Sequence, residues 1–92
     1  MRTIWKYMVP ATDVFSLDLP EGAVFLSLHV QQGHPRMWFL VDPEKPRDGR
    51  IFSVVGTGHD FPYAGDDFRF LGTFLVGDGV LVFHVFERRG DA

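Results

Sequence analysis

The amino-acid sequence predicts an all-β fold, a small single-domain antiparallel β-sandwich or barrel of six to seven strands spanning residues 1–92. Three observations carry that prediction. Apolar and polar residues alternate with the period of two that a half-buried strand requires, no segment has a convincing helical period, and turn-forming residues separate the apolar runs at short intervals. Hydrophobic residues are 46% of the chain and aromatics 15%, with ten phenylalanines, so even a short domain has the material for a dense core.

Taken in order, Phe15-Ser16-Leu17-Asp18-Leu19 alternates cleanly, and Pro20-Glu21-Gly22 ends the strand. In Val24–Val30 the alternation places Val24, Leu26, Leu28 and Val30 on one face and Phe25, Ser27 and His29 on the other, with Gln32-Gly33 as the following turn. Met37-Trp38-Phe39-Leu40-Val41 is apolar on both faces, which suits a central strand covered on both sides or one that presents a side to a partner. Asp42 to Gly49 holds prolines and mixed charges and reads as an exposed loop before a strand from Ile51 to Val55. Gly56 to Asp67 is the longest irregular stretch, and loops of that length in small domains often carry function. Phe68–Val76 and Val80–Phe86 flank Asp78-Gly79, a hairpin with a type I′ turn whose two central residues take positive φ. Arg88 to Ala92 is expected to fray.

The composition excludes several classes. With no cysteine, neither disulfides nor a thiolate zinc site holds the fold. Met1 to Lys6 lacks the apolar run of a signal peptide, and no apolar stretch approaches the roughly 18 residues of a membrane-spanning helix, so the expected setting is cytoplasmic with no membrane partner. Nine Lys and Arg against twelve Asp and Glu give a net charge of −3, with the basic residues scattered. That distribution argues against direct nucleic-acid binding, which rests on clustered phosphate contacts, and suits solubility or docking against a basic partner.

The histidines His29, His34, His59 and His84 show no recognised ligand spacing, so no metal and no cofactor is expected. Gly56-Thr57-Gly58-His59 resembles part of a phosphate loop, but Asp60, Pro62, Asp66 and Asp67 follow where a helix should begin, and a strand bending into a loop is the simpler reading. His59 with Asp60, Asp66 and Asp67 is the one local acid–base cluster, and no serine sits in a nucleophile elbow; the chain is therefore expected to be no enzyme. Trp5, Tyr7, Phe25, Trp38, Phe61 and Tyr63 are more aromatic surface than one sheet face hides easily, and interfaces are enriched in such residues. The residues expected to contact a partner are Trp38, His59, Asp60, Phe61, Tyr63, Asp66 and Asp67.

Thr3-Ile4-Trp5-Lys6, Val41-Asp42-Pro43, Val55-Gly56-Thr57-Gly58-His59, Leu71-Gly72-Thr73 and Val82-Phe83-His84-Val85-Phe86-Glu87 together resemble a family of short uncharacterised bacteriophage and prophage proteins. The resemblance implies a small non-catalytic accessory factor that binds and inhibits a host protein, for example a component of a CRISPR-Cas defence, acting in the host cytoplasm, with a homodimer as one form. The alternative is a β domain that binds a small molecule or nucleotide through Gly56 to His59, and after that an enzyme using His59 with a nearby aspartate.

Overall fold

Alternation along the chain resolves into seven strands, β1 (Thr3–Met8), β2 (Val14–Pro20), β3 (Val24–Gln31), β4 (His34–Val41), β5 (Arg47–Gly56), β6 (Phe68–Val76) and β7 (Leu81–Arg88). They come from a computed structural model that describes residues 1–89, among which there is no helix. One sheet has the order β1-β4-β3 and the other β2-β5-β7-β6, and every pairing is antiparallel. Two separate sheets make this a sandwich rather than a barrel. The shortest dimension, 17 Å, is what two stacked sheets about 10 Å apart produce.

Residues directly opposite in a ladder share a face. On the inner face of the first sheet Trp5 pairs with Phe39 and Tyr7 with Met37, and Met37, Phe39 and Val41 are sealed from solvent. The second sheet answers with Leu19, Phe52 and Val85, equally sealed. Phe39 joins the layers: its ring lies edge-on to Tyr7 at 5.7 Å, to Phe25 at 5.7 Å and to Phe52 at 6.2 Å, while Phe15 stacks on Phe52 at 5.3 Å. Edge-to-face contacts of this kind put the positive rim of one ring on the negative face of the next.

Strict alternation misplaces part of β3. A bulge shifts the register between Phe25 and Ser27, so Phe25 pairs with Phe39 and Leu28 with Met37, both inward. Val24 and Leu26 are left 46% and 45% exposed. Leu28 then packs on Gly72 of β6, where an added Cβ would lie 3.1 Å from Leu28 Cδ2, and this close approach draws β3 onto β6. The strand β1 was not distinguished by its sequence. β5 begins at Arg47 rather than Ile51, because Arg47 and Asp48 pair with Pro20 and Leu19, and the exposed connection shrinks accordingly.

The last hairpin forms with its expected turn: Asp78 and Gly79 have φ of 60° and 84°, and the Val80 N–H donates to the Gly77 carbonyl at 3.1 Å. β7 runs on to Arg88, and the Arg89 N–H donates to the Asp67 carbonyl at 3.2 Å, so these two residues are held in place instead of frayed. The rest of the expected frayed tail, 90–92, lies outside the described residues.

One end of the sandwich is closed by an ion pair. Arg50 Nε and Nη2 donate to Glu87 Oε2 and Oε1 at 2.6 and 2.9 Å, and Nη1 donates to the Ala23 carbonyl at 2.6 Å. The guanidinium carbon lies 5.6 Å from the centre of the Phe39 ring, so the cation also faces the aromatic core.

Candidate functional site

The residues expected to contact a partner fall on two main regions, the outer face of the β1-β4-β3 sheet and the loop after β5. On the first sheet β4 is central, so Trp38 is flanked by Lys6 of β1 and Ser27 of β3. Ile4 and Val24 lie beside Leu40, and Met8 and His29 beside Arg36, on the same face. Trp38 and Leu40 are half-buried, Ile4 and Met8 more exposed. The inner side of β4 is covered by the sandwich and this outer side is not covered by any described part of the chain. The three strands contain no aspartate or glutamate. Lys6 donates to Gln31 at 2.9 Å, and the His29 ring sits 6.1 Å from that of Trp38. The net charge of −3 therefore resides elsewhere, and this face carries the opposite sign from the whole chain.

The loop after β5 covers the outside of the second sheet. It starts with the Thr57 N–H donating to the Val82 carbonyl at 3.2 Å and the His59 N–H to the Gly56 carbonyl at 3.0 Å. Two of the amides that a phosphate loop would turn toward an anion are thereby engaged inside the fold. The His59 ring folds back over Gly56, where a Cβ would meet Nδ1 at 3.0 Å. Farther along, Phe61 packs edge-on against Phe68 at 4.8 Å, Phe86 at 4.9 Å and Tyr63 at 5.7 Å, and Phe70 adds a fifth ring 5.4 Å from Phe86. The loop aromatics thus complete a second, outer cluster. The Tyr63 hydroxyl is buried within it and finds no hydrogen-bond partner among the described residues.

These placements divide the expected contact residues. Trp38 faces out from the first sheet, His59 lies over Gly56 at one end of the sandwich, and Phe61 and Tyr63 pack on the outside of the second sheet in the loop that also holds Asp60, Asp66 and Asp67, so one partner surface does not join them all. Asp60, Asp66 and Asp67 are exposed. No hydrogen bond or ion pair among the described residues links His59 to any of them, and no three His, Asp or Glu side chains converge as a metal site requires.

An imidazole that the sequence gave no reason to single out is the better ordered one. His84 Nε2 lies 2.8 Å from Thr57 Oγ1, and Nδ1 2.8 Å from Thr73 Oγ1. A neutral ring has one donor and one acceptor nitrogen, so one threonine accepts and the other donates. Hydroxyl, imidazole and orienting group are the order of a hydrolase triad, but a hydroxyl in the third place cannot stabilise an imidazolium as a carboxylate does. Only the Thr73–His84 register within the last hairpin hints at this arrangement.

The full length of the chain, residues 1–92, matches the model of a family described as a domain of unknown function, DUF7352. The chain belongs to that family. No curated protein and no solved structure matches it. In this DUF7352 domain the scattered basic residues also regroup: Arg50, Arg69, Arg88 and Arg89 line one hollow of about 400 Å³ around Glu87. Their separation along the chain hid the cluster, which only the pairing of β6 and β5 with β7 creates.

Proposed function

We propose that this domain is a non-catalytic protein-binding module, with the outer face of the β1-β4-β3 sheet as its contact surface, Trp38 as its anchor and an acidic patch of the partner as its complement. The supporting observation is the central strand β4, apolar on both sides, with its outer tryptophan ringed by Ile4, Met8, Val24 and Leu40 on a sheet without carboxylates. A tryptophan at the centre of an apolar patch is the residue type that dominates protein interfaces. Lys6 and Arg36 on the same face bring like charges together if two copies meet there, which favours a different protein over self-association. Two cations are few for phosphate-led binding to nucleic acid. The resemblance to phage and prophage proteins makes a bacterial host protein, defence components included, the first bait to try.

The test compares capture from bacterial lysate by the wild type, Trp38→Ala, Lys6→Glu with Arg36→Glu, and Phe61→Ala, followed by measurement with the purified partner. The expected result is a partner that Trp38→Ala loses, that the charge reversals weaken in a salt-dependent way, and that Phe61→Ala retains. Loss with Phe61→Ala and retention with Trp38→Ala refutes the assignment of the face. A dimer in solution that Trp38→Ala dissolves reassigns it to self-association.

A further inference from the structure

At the end of the sandwich opposite the Arg50–Glu87 pair, the two sheets stay apart and enclose a cavity of about 560 Å³. We infer that this cavity is a binding site for a small, uncharged, largely apolar molecule bearing a hydroxyl. Its volume lies within the roughly 300–1,000 Å³ of small-molecule sites, too little for a peptide or a folded partner. The space exists because the large aromatics Phe39 and Phe52 fill the other half of the interlayer, while Gly56 faces inward here without a side chain and leaves its place to the His59 ring.

The walls and the mouth differ in chemistry. Val9, Val54, Phe74, Val76 and Phe83 line it as buried or half-buried residues, and none carries a polar side chain. The polar groups Asp13, His34 and His59 are all exposed, so they stand at the mouth. They reach it from the β1–β2 connection, the β3–β4 turn and the loop after β5. An anionic head group would face the Asp13 carboxylate, and a cation could pair with Asp13 only by staying at the mouth with its apolar tail left short of the interior. An ion moved deeper would meet only apolar walls. A hydroxyl donates to Asp13 and accepts from an imidazole N–H, which satisfies it at the mouth while its apolar tail fills the interior. This site meets the Trp38 face at Met8, and its buried walls lie on the inner side of that sheet, away from Trp38.

The test uses one tail with three head groups, 1-octanol, octanoate and octylammonium, followed by methyl NMR of the full chain. The expected result is that octanol shifts the methyl signals of Val9, Val54 and Val76, with both ions binding at least about tenfold more weakly. Ala11→Trp, at the exposed rim, blocks the mouth and reduces octanol affinity by at least about tenfold, with Thr12→Trp as a second plug should the first fail to fold. Trp38→Ala leaves octanol binding unchanged, which separates this site from the proposed protein-binding face. Absence of shifts, shifts confined to Ile4, Val24 and Leu40, an ion that binds as tightly as octanol, or plugged variants that bind as the wild type does each overturn the inference.

Discussion

Replacing Glu87 by leucine removes the only carboxylate among the described residues that holds Arg50, and the structure sets the scale of the effect. The two side chains are 18% and 11% exposed, so the pair is largely withdrawn from water without being sealed. Breaking a fully buried pair costs about 3–5 kcal/mol, and an exposed one contributes about 0–1 kcal/mol. Arg50 keeps the Ala23 carbonyl and some solvent in the variant, which places the cost at about 2–3 kcal/mol. Against a total of about 5–14 kcal/mol for a chain of 92 residues, that loss is large. It corresponds to a fall in Tm of roughly 10–20 °C. Urea and thermal unfolding of Glu87→Leu, Arg50→Met and the double variant form the assay. The double variant is expected to be less destabilised than the sum of the singles by about 1.5–3 kcal/mol, because neither charge is then left unpaired. Additive losses, or a Glu87→Leu variant within roughly 2 °C of the wild type, refute the view that this pair closes the end of the sandwich.

Other outcomes follow from the core, the outer cluster and one phenol. Phe39→Ala removes the ring that contacts Tyr7, Phe25 and Phe52 and is expected to cost about 3–5 kcal/mol in urea unfolding, whereas Phe39→Leu costs less because it leaves a smaller cavity. Tyr63→Phe deletes a buried hydroxyl without a partner and is expected to be neutral or stabilising by up to about 1 kcal/mol; a clear loss of stability would show that the hydroxyl is satisfied. Burial raises the Tyr7 phenol above its ordinary 10.0, and the Arg47 cation draws it partly back. The unfolded chain therefore releases this proton first, so the contribution is complete below pH 10.0 and is lost as the pH rises through the higher folded value. Urea midpoints measured across that range are expected to fall more steeply for the wild type than for Tyr7→Phe, and Arg47→Gln moves the ionisation higher still.

The parts of the fold that depend on local pattern were legible: the alternation of Phe15 to Leu19, the doubly apolar β4 and the Asp78-Gly79 turn each state their conformation within a few residues. What stayed hidden depends on register between distant strands. The bulge at Phe25–Ser27 reverses which side of β3 faces inward, and nothing in a period of two reveals where a residue is inserted. Arg50 and Glu87 are 37 residues apart, and Thr57 and His84 are 27 apart, so their meeting is a product of the strand order β2-β5-β7-β6. Trp38 was identified as a candidate because an apolar strand with two apolar sides needs two covers, and the sandwich supplies one. Phe61 and Tyr63 looked free because the outer face of β6 and β7 carries unexpected phenylalanines, which gather the loop onto the sheet.

The strand order β2-β5-β7-β6 has a consequence for synthesis. β7 sits between β5 and β6, so the ribosome delivers the neighbours on both sides of a gap before the strand that fills it. Until Leu81 to Arg88 emerge, β5 has an unpaired edge and Glu87 is not there to meet Arg50. Folding of this layer is thereby postponed until β7 has emerged, and nascent chains that stop short of β7 are the form most exposed to aggregation.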